Sequence, residues 1–87
     1  MWYHCRVAIS RGEYLVTTAG DLGAALKRFR MAAGMTQEQA AELEGIGQSY
    51  LSLLEGGRKF SPSVTHLLRL LRLVGCEVVV RPRGGHG

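Results

Sequence analysis

The 87 residues hold only two cysteines, Cys5 and Cys76, far apart in the chain, and such a pair makes no disulfide framework. A reduced, structural role is the default for thiols of this kind in a cytoplasmic chain. Long apolar runs are missing as well. The longest are cut by Arg69 and Arg72, which excludes a bilayer-spanning helix and any membrane partner of that sort. The N-terminal stretch carries Arg6 and Arg11 but neither a continuous apolar region nor a small-residue cleavage site, so no signal peptide is expected and a cytoplasmic location is.

Reactive constellations are equally scarce. His4 and Cys5 are neighbours that a strand would turn to opposite faces, and His66 and Cys76 lie far from them, so no zinc spacing exists and no metal or cofactor is expected. Nothing in the sequence brings a Cys–His or Ser–His–Asp set together. Gly56-Gly57 is too isolated for a phosphate-cradling loop. An enzyme is not expected.

What is present is the composition of one small globular domain. A hydrophobic share of 46% argues against wholesale disorder, and the length leaves room for one domain. A core this small often borrows stability from a second subunit. The net charge of +4 suits a polyanionic partner, though a merely soluble basic surface accounts for it equally well.

The rest of the chain is organised around Thr36 to Gly57. Thr36 can cap a helix start while Gln39, three residues on, reaches back, a capping box. Gly45 is placed for the positive φ that closes the first helix, Gly47-Gln48 restarts a second, and Gly56-Gly57 stops it. Two short helices on so tight a turn predict a helix-turn-helix whose second helix can enter a DNA major groove.

This stretch resembles the DNA-binding core of the Xre-type (lambda-repressor-like) helix-turn-helix family of phage repressors and their relatives. The likeness rests on Thr36-Gln37, Ala41, Gly45-Ile46, Tyr50-Leu51-Ser52, Leu54-Glu55 and Gly57, and extends from about Asp21 to Val74. It implies a mainly α bundle of about four helices. It also implies a structural ion pair between Arg30 and Glu55. Base edges would be met by Gln48 and Ser49, with Ser52 and Leu53 as further candidates and Leu53 suited only to a thymine methyl. Phosphates would be held by Gln37, Arg58 and Lys59, with Tyr50 a candidate. Where the family usually has serine or threonine, this chain has Gly47, an acceptable cap without a hydroxyl.

On either side of that core the sequence predicts strands. Residues 1–19 form an arm in which Trp2 to Ile9 alternates, Ser10 to Glu13 turns, and Tyr14 to Thr18 is again β-branched and aromatic, a possible β-hairpin. Residues 20–75 are the helix-turn-helix domain, with Gly20-Asp21 opening the first helix. Its Leu22, Ala25, Leu26, Phe29 and Ala33 recur at helical spacing. Ser61-Pro62-Ser63 opens the last helix, where Val64, Leu67, Leu68, Leu71 and Val74 read as the core stripe. His66, Leu70 and Leu73 read as an adjoining surplus face.

Residues 76–87 hold a strand, Cys76 to Arg81, stopped by Pro82, and a tail. A lone strand must pair with the hairpin, with its copy in a second subunit, or with both in an intersubunit sheet. A homodimer interface over Leu70, Leu73, Cys76, Val78 and Val80 is therefore expected. This helix-then-strand ending resembles the HipB-like antitoxin branch, which implies an autorepressor that binds an inverted-repeat operator in double-stranded DNA and also holds a HipA-like kinase toxin. Two alternatives stay open: a free-standing Xre-type regulator without a toxin, and a protein-interaction module that has lost DNA binding and pairs by strand addition.

Overall fold

The computed structural model describes residues 12–58 and 61–83. Within them lie four helices, α1 (Ala19–Ala32), α2 (Gln37–Glu44), α3 (Gln48–Glu55) and α4 (Val64–Leu73). The architecture is mainly α, with α2 and α3 as the helix-turn-helix.

α1 starts one residue earlier than Gly20-Asp21 suggests, at Ala19, because Thr18 and Asp21 form a capping box of their own. The Thr18 hydroxyl accepts the Asp21 amide at 3.0 Å, and Asp21 Oδ2 accepts the Thr18 amide at 3.2 Å. The same oxygen also accepts the Thr17 amide and hydroxyl, each at 3.0 Å. These bonds, the Thr17 amide first, hold the Asp21 carboxyl below the ordinary aspartate range. A depressed folded-state value means that the stabilisation is complete above the ordinary aspartate value and is lost as pH falls through the lowered one. Asp21→Asn is therefore expected to lower the melting temperature at neutral pH by a small amount, and that gap should close in acid. A gap independent of pH would show that charge is not what the cap uses.

α2 begins in the predicted box: Thr36 Oγ1 accepts the Gln39 amide at 3.0 Å, and Gln39 Oε1 accepts the Thr36 amide at 2.9 Å. Gly45 ends the helix at φ +70°, a left-handed conformation that costs residues with a Cβ about 1–2 kcal/mol. Its amide and that of Ile46 close onto Glu42 and Ala41, which sets the angle at which α3 leaves. Gly47 caps α3 without a side-chain bond.

The core forms where the helices meet. Leu26 of α1, Ala40 and Ala41 of α2, Leu51 and Leu54 of α3, and Leu70, Leu71 and Val74 at the end of the bundle are all buried. Leu26, Leu51 and Leu70 are the largest fully buried side chains, each contributing about 1.5–3 kcal/mol. Leu22 and Phe29 pack against this cluster half-buried, whereas Ala33 is exposed. The two alanines of α2 present no bulk, so α2 can lie close to its neighbours.

Two sequence-based expectations change here. Of the expected core stripe of α4, Leu67, Leu71 and Val74 pack in the core, joined by Leu70, while Val64 and Leu68 do not. Val64 and Leu68 are exposed, at 66% and 49%, and Leu70 is fully enclosed, so it cannot belong to a surface between subunits. Because α4 is apolar around much of its girth, both phases satisfy helical spacing, and packing against α2 selects one.

Residues 76–83 form no strand in the single chain. A strand exists only through its ladder partner, and no backbone hydrogen bond joins residues 77–83 to another described segment. Residues 1–11 of the expected hairpin lie outside the described residues; Tyr14 folds back on α1, its ring edge-on to Phe29 at 5.4 Å.

Candidate nucleic-acid interface

The interface is built outward from a buried charge pair. Arg30 near the end of α1 and Glu55 at the end of α3 are each only 7% exposed. Arg30 Nε donates to Glu55 Oε2 at 2.6 Å and Nη2 to Oε1 at 3.0 Å, a bidentate fork. The third donor, Nη1, reaches the Met35 carbonyl at 2.7 Å, just before α2. Desolvating two charges is costly, and this saturated geometry is what offsets it.

Hydrogen bonds continue from this pair to the surface. Gln37 Nε2 donates to Glu55 Oε1 at 3.0 Å, and Gln48 Nε2 donates to Gln37 Oε1 at 3.4 Å. The first residues of α2 and α3 are thereby referred to one buried anchor. Gln48 keeps a carbonyl oxygen and one amide hydrogen for a ligand, the complement that an adenine edge requires. The Gln37 side chain, expected at a phosphate, is instead spent largely on Glu55 and Gln48, a strut between α2 and α3.

Gln37, Gln48, Ser49, Ser52 and Leu53 line one shallow, open concavity. The spacing of the four α3 residues, one turn apart in two pairs, places them on a common face. Leu51 and Leu54 point the other way into the core, at 0% and 5% exposure, while Leu53 remains 37% exposed. Tyr50 does not join them. Its hydroxyl accepts the Ser63 amide at 3.0 Å and its ring stands edge-on to His66 at 5.8 Å, so it ties α3 to the start of α4 instead of reaching for a phosphate.

Of the expected phosphate anchors, Arg58 is exposed and its guanidinium lies over Gly56, and Lys59 falls outside the described residues. The stretch from Thr36 to Gly57 contains four glutamates and neither lysine nor arginine, a feature legible in the sequence that residue-by-residue reading passed over. One of those glutamates, Glu44, sits 3.0 Å from Arg69 Nε of α4. Positive side chains flank the unit from outside: exposed Lys27 and Arg28 on α1, and Arg58 after α3.

Among the described residues, no group of three or more histidine, cysteine, aspartate or glutamate side chains is placed to hold a metal ion. No helix among them is long and apolar enough to cross a membrane.

Known proteins share the helix-turn-helix fold. A family model described as a helix-turn-helix domain matches residues 21–83. An HTH-type transcriptional regulator of Sinorhizobium fredii, y4dJ, is 39% identical over 58 residues, 67% of this chain and 74% of that protein. The crystal structure of the clp gene regulator ClgR of C. glutamicum superposes with a TM-score of 0.65 at 36% identity, covering 72% of this chain and 80% of that one. A chain of the HipA–HipB–O2–O3 complex superposes with a TM-score of 0.70 over 80% of this chain and 97% of its own, at 21% identity, a likeness of fold. By the matched span and the identity to y4dJ, the chain belongs to the helix-turn-helix family of DNA-binding transcriptional regulators.

Proposed function

We propose that the chain is a sequence-specific repressor that binds an inverted-repeat operator as a homodimer, and that it serves as antitoxin and autorepressor of a toxin–antitoxin operon. The observation that carries the DNA-reading part is the concavity on the outward face of α3, with Gln48 held at its rim through Gln37 and Glu55. Gln48 and Ser49 read base edges, with Ser52 and Leu53 one turn deeper. Arg58, Lys59 and the backbone amides opening α2 hold phosphates.

Dimerisation is supported by apolar surface that one chain leaves bare. Val78, Val79 and Val80 are 56%, 71% and 94% exposed, and Leu73 and Cys76 are half-buried where that segment leaves α4. Pairing residues 76–81 with their copy would satisfy the backbone and cover these side chains together. The antitoxin assignment is supported by the likeness of fold to a chain of the HipA–HipB–O2–O3 complex, over 80% of this chain. A free-standing regulator is the second reading, favoured by the higher sequence identity to y4dJ and ClgR.

Selection from a random duplex library tests the first part. The selected sequences are expected to contain two half-sites related by a dyad, with centres about one helical turn, roughly 34 Å, or a multiple of it apart. Failure to enrich any sequence would contradict it. Tagged protein recovered from its native cells should carry a HipA-like kinase if it is an antitoxin; recovery as a homodimer alone favours the free-standing regulator.

A further inference from the structure

We infer that Leu53 makes this reading surface selective for a pyrimidine carrying a 5-methyl group, an inference that rests on α3 being the base-reading helix. Leu53 is the one leucine of α3 turned away from the core: Leu51 and Leu54 are 0% and 5% exposed, and Leu53 is 37%. It does not sit on a bland surface. It shares the concavity with Gln37, Gln48, Ser49 and Ser52, all polar and none charged.

That set of side chains decides what can be read. Guanine is usually gripped at O6 and N7 by the donors of arginine or lysine, and α2 and α3 contain neither. The glutamine amide at position 48 suits adenine N6 and N7, and the serines discriminate little. The remaining group is a branched apolar side chain, which can gain only by covering apolar surface. In the major groove the pyrimidine 5-methyl is that surface. An unmethylated cytosine presents at that place only its small C5–H edge beside the N4 amino donor, so leucine covers less apolar surface and desolvates the amine without return. Thymine and 5-methylcytosine present the same methyl, and both fit this chemistry.

Removing one contacted methyl forfeits about 0.8 kcal/mol, which corresponds to about fourfold in affinity per half-site and on the order of fifteenfold for a dimer on two half-sites. The test uses the full chain and an operator selected from a random library, prepared in three forms: natural, with deoxyuridine for thymidine, and with 5-methyldeoxycytidine for deoxycytidine. Each is titrated with wild-type protein and with Leu53→Ala, whose exposed position leaves the core untouched. A loss on the uridine duplex that Leu53→Ala no longer shows supports the inference and identifies thymine. A gain on the methylcytosine duplex that Leu53→Ala abolishes supports it and identifies methylated cytosine. Equal binding to all three forms by a protein that still prefers the operator over scrambled DNA overturns it and leaves base reading by α3 intact. Equal sensitivity of wild type and Leu53→Ala overturns it too, because the methyl would then act through DNA shape or another residue. If no operator is enriched, base reading itself fails and the inference with it.

Discussion

Replacing Glu55 by alanine is expected to destabilise the fold by about 3–5 kcal/mol, the cost of leaving a buried charge without its partner. The stranded group is the Arg30 guanidinium, which is 7% exposed and would retain only the Met35 carbonyl. A domain of this length is stable by roughly 4–13 kcal/mol, so the substitution removes a large part of the total. Denaturant unfolding followed by circular dichroism measures it. A change under about 1 kcal/mol would mean that water reaches the guanidinium and that the pair behaves as a surface bridge.

The double replacement Arg30→Met with Glu55→Leu separates stability from function. An apolar pair of similar volume is expected to recover most of the lost stability, because no charge is left buried. It cannot hold Gln37, whose amide donates to Glu55 Oε1 at 3.0 Å, so Gln48 loses the support behind it. A folded protein with reduced operator preference is the expected outcome.

Gly23→Ala is the second large effect, and its sign runs against helix propensity. In the middle of α1, alanine would ordinarily gain up to about 1 kcal/mol over glycine. Here the added Cβ would lie 2.3 Å from the Leu54 carbonyl oxygen and 2.6 Å from that of Glu55. Both are backbone atoms at the end of α3, so no side chain can swing aside. α1 and α3 must separate, and overpacking of this kind costs about 1–3 kcal/mol or more. The separation also pulls on the Arg30–Glu55 fork, which bridges the same two helices.

Gly20→Ala supplies the contrast. One turn earlier in α1, its Cβ would meet nothing closer than Thr18 Oγ1 at 3.6 Å, an ordinary contact. That variant should melt at or above the wild-type temperature while Gly23→Ala melts well below it. Equal melting temperatures would contradict the close approach of α1 and α3.

The helix-turn-helix was legible in the sequence because its limits are local chemistry. Thr36 with Gln39 and Gly45 with Ile46 are decided within a few residues, and the structure keeps all of them. The same local logic was available at Thr18 and Asp21, where the extended reading of Tyr14 to Thr18 hid a second capping box. The phase of α4 was not local. His66, Leu67, Leu68, Leu70, Leu71 and Leu73 satisfy helical spacing in more than one register, and only the neighbouring helices bury Leu70 in preference to Leu68.

Side-chain partners across helices were legible only in part. Arg30 and Glu55 followed from a family likeness, while the onward bonds to Gln37 and Gln48 depend on how α2 and α3 cross. Tyr50 could be read as surface or seam until its hydroxyl was placed on Ser63. Strand formation by residues 76–81 depends on a ladder partner, and no backbone hydrogen bond joins residues 77–83 to another described segment.

The most direct test of base reading by α3 is fluorescence anisotropy of wild-type protein and Gln48→Ala on the chain's own upstream DNA and on a scrambled duplex, across a salt series. Tighter binding of wild type to the upstream DNA, persisting as salt rises, is predicted, because hydrogen bonds to bases are not lost with released counterions. Gln48→Ala should lose about 1–3 kcal/mol of that preference per half-site while binding the scrambled duplex as wild type does. Equal and steeply salt-sensitive binding of wild type to both duplexes, or equal losses on both for Gln48→Ala, would contradict the account.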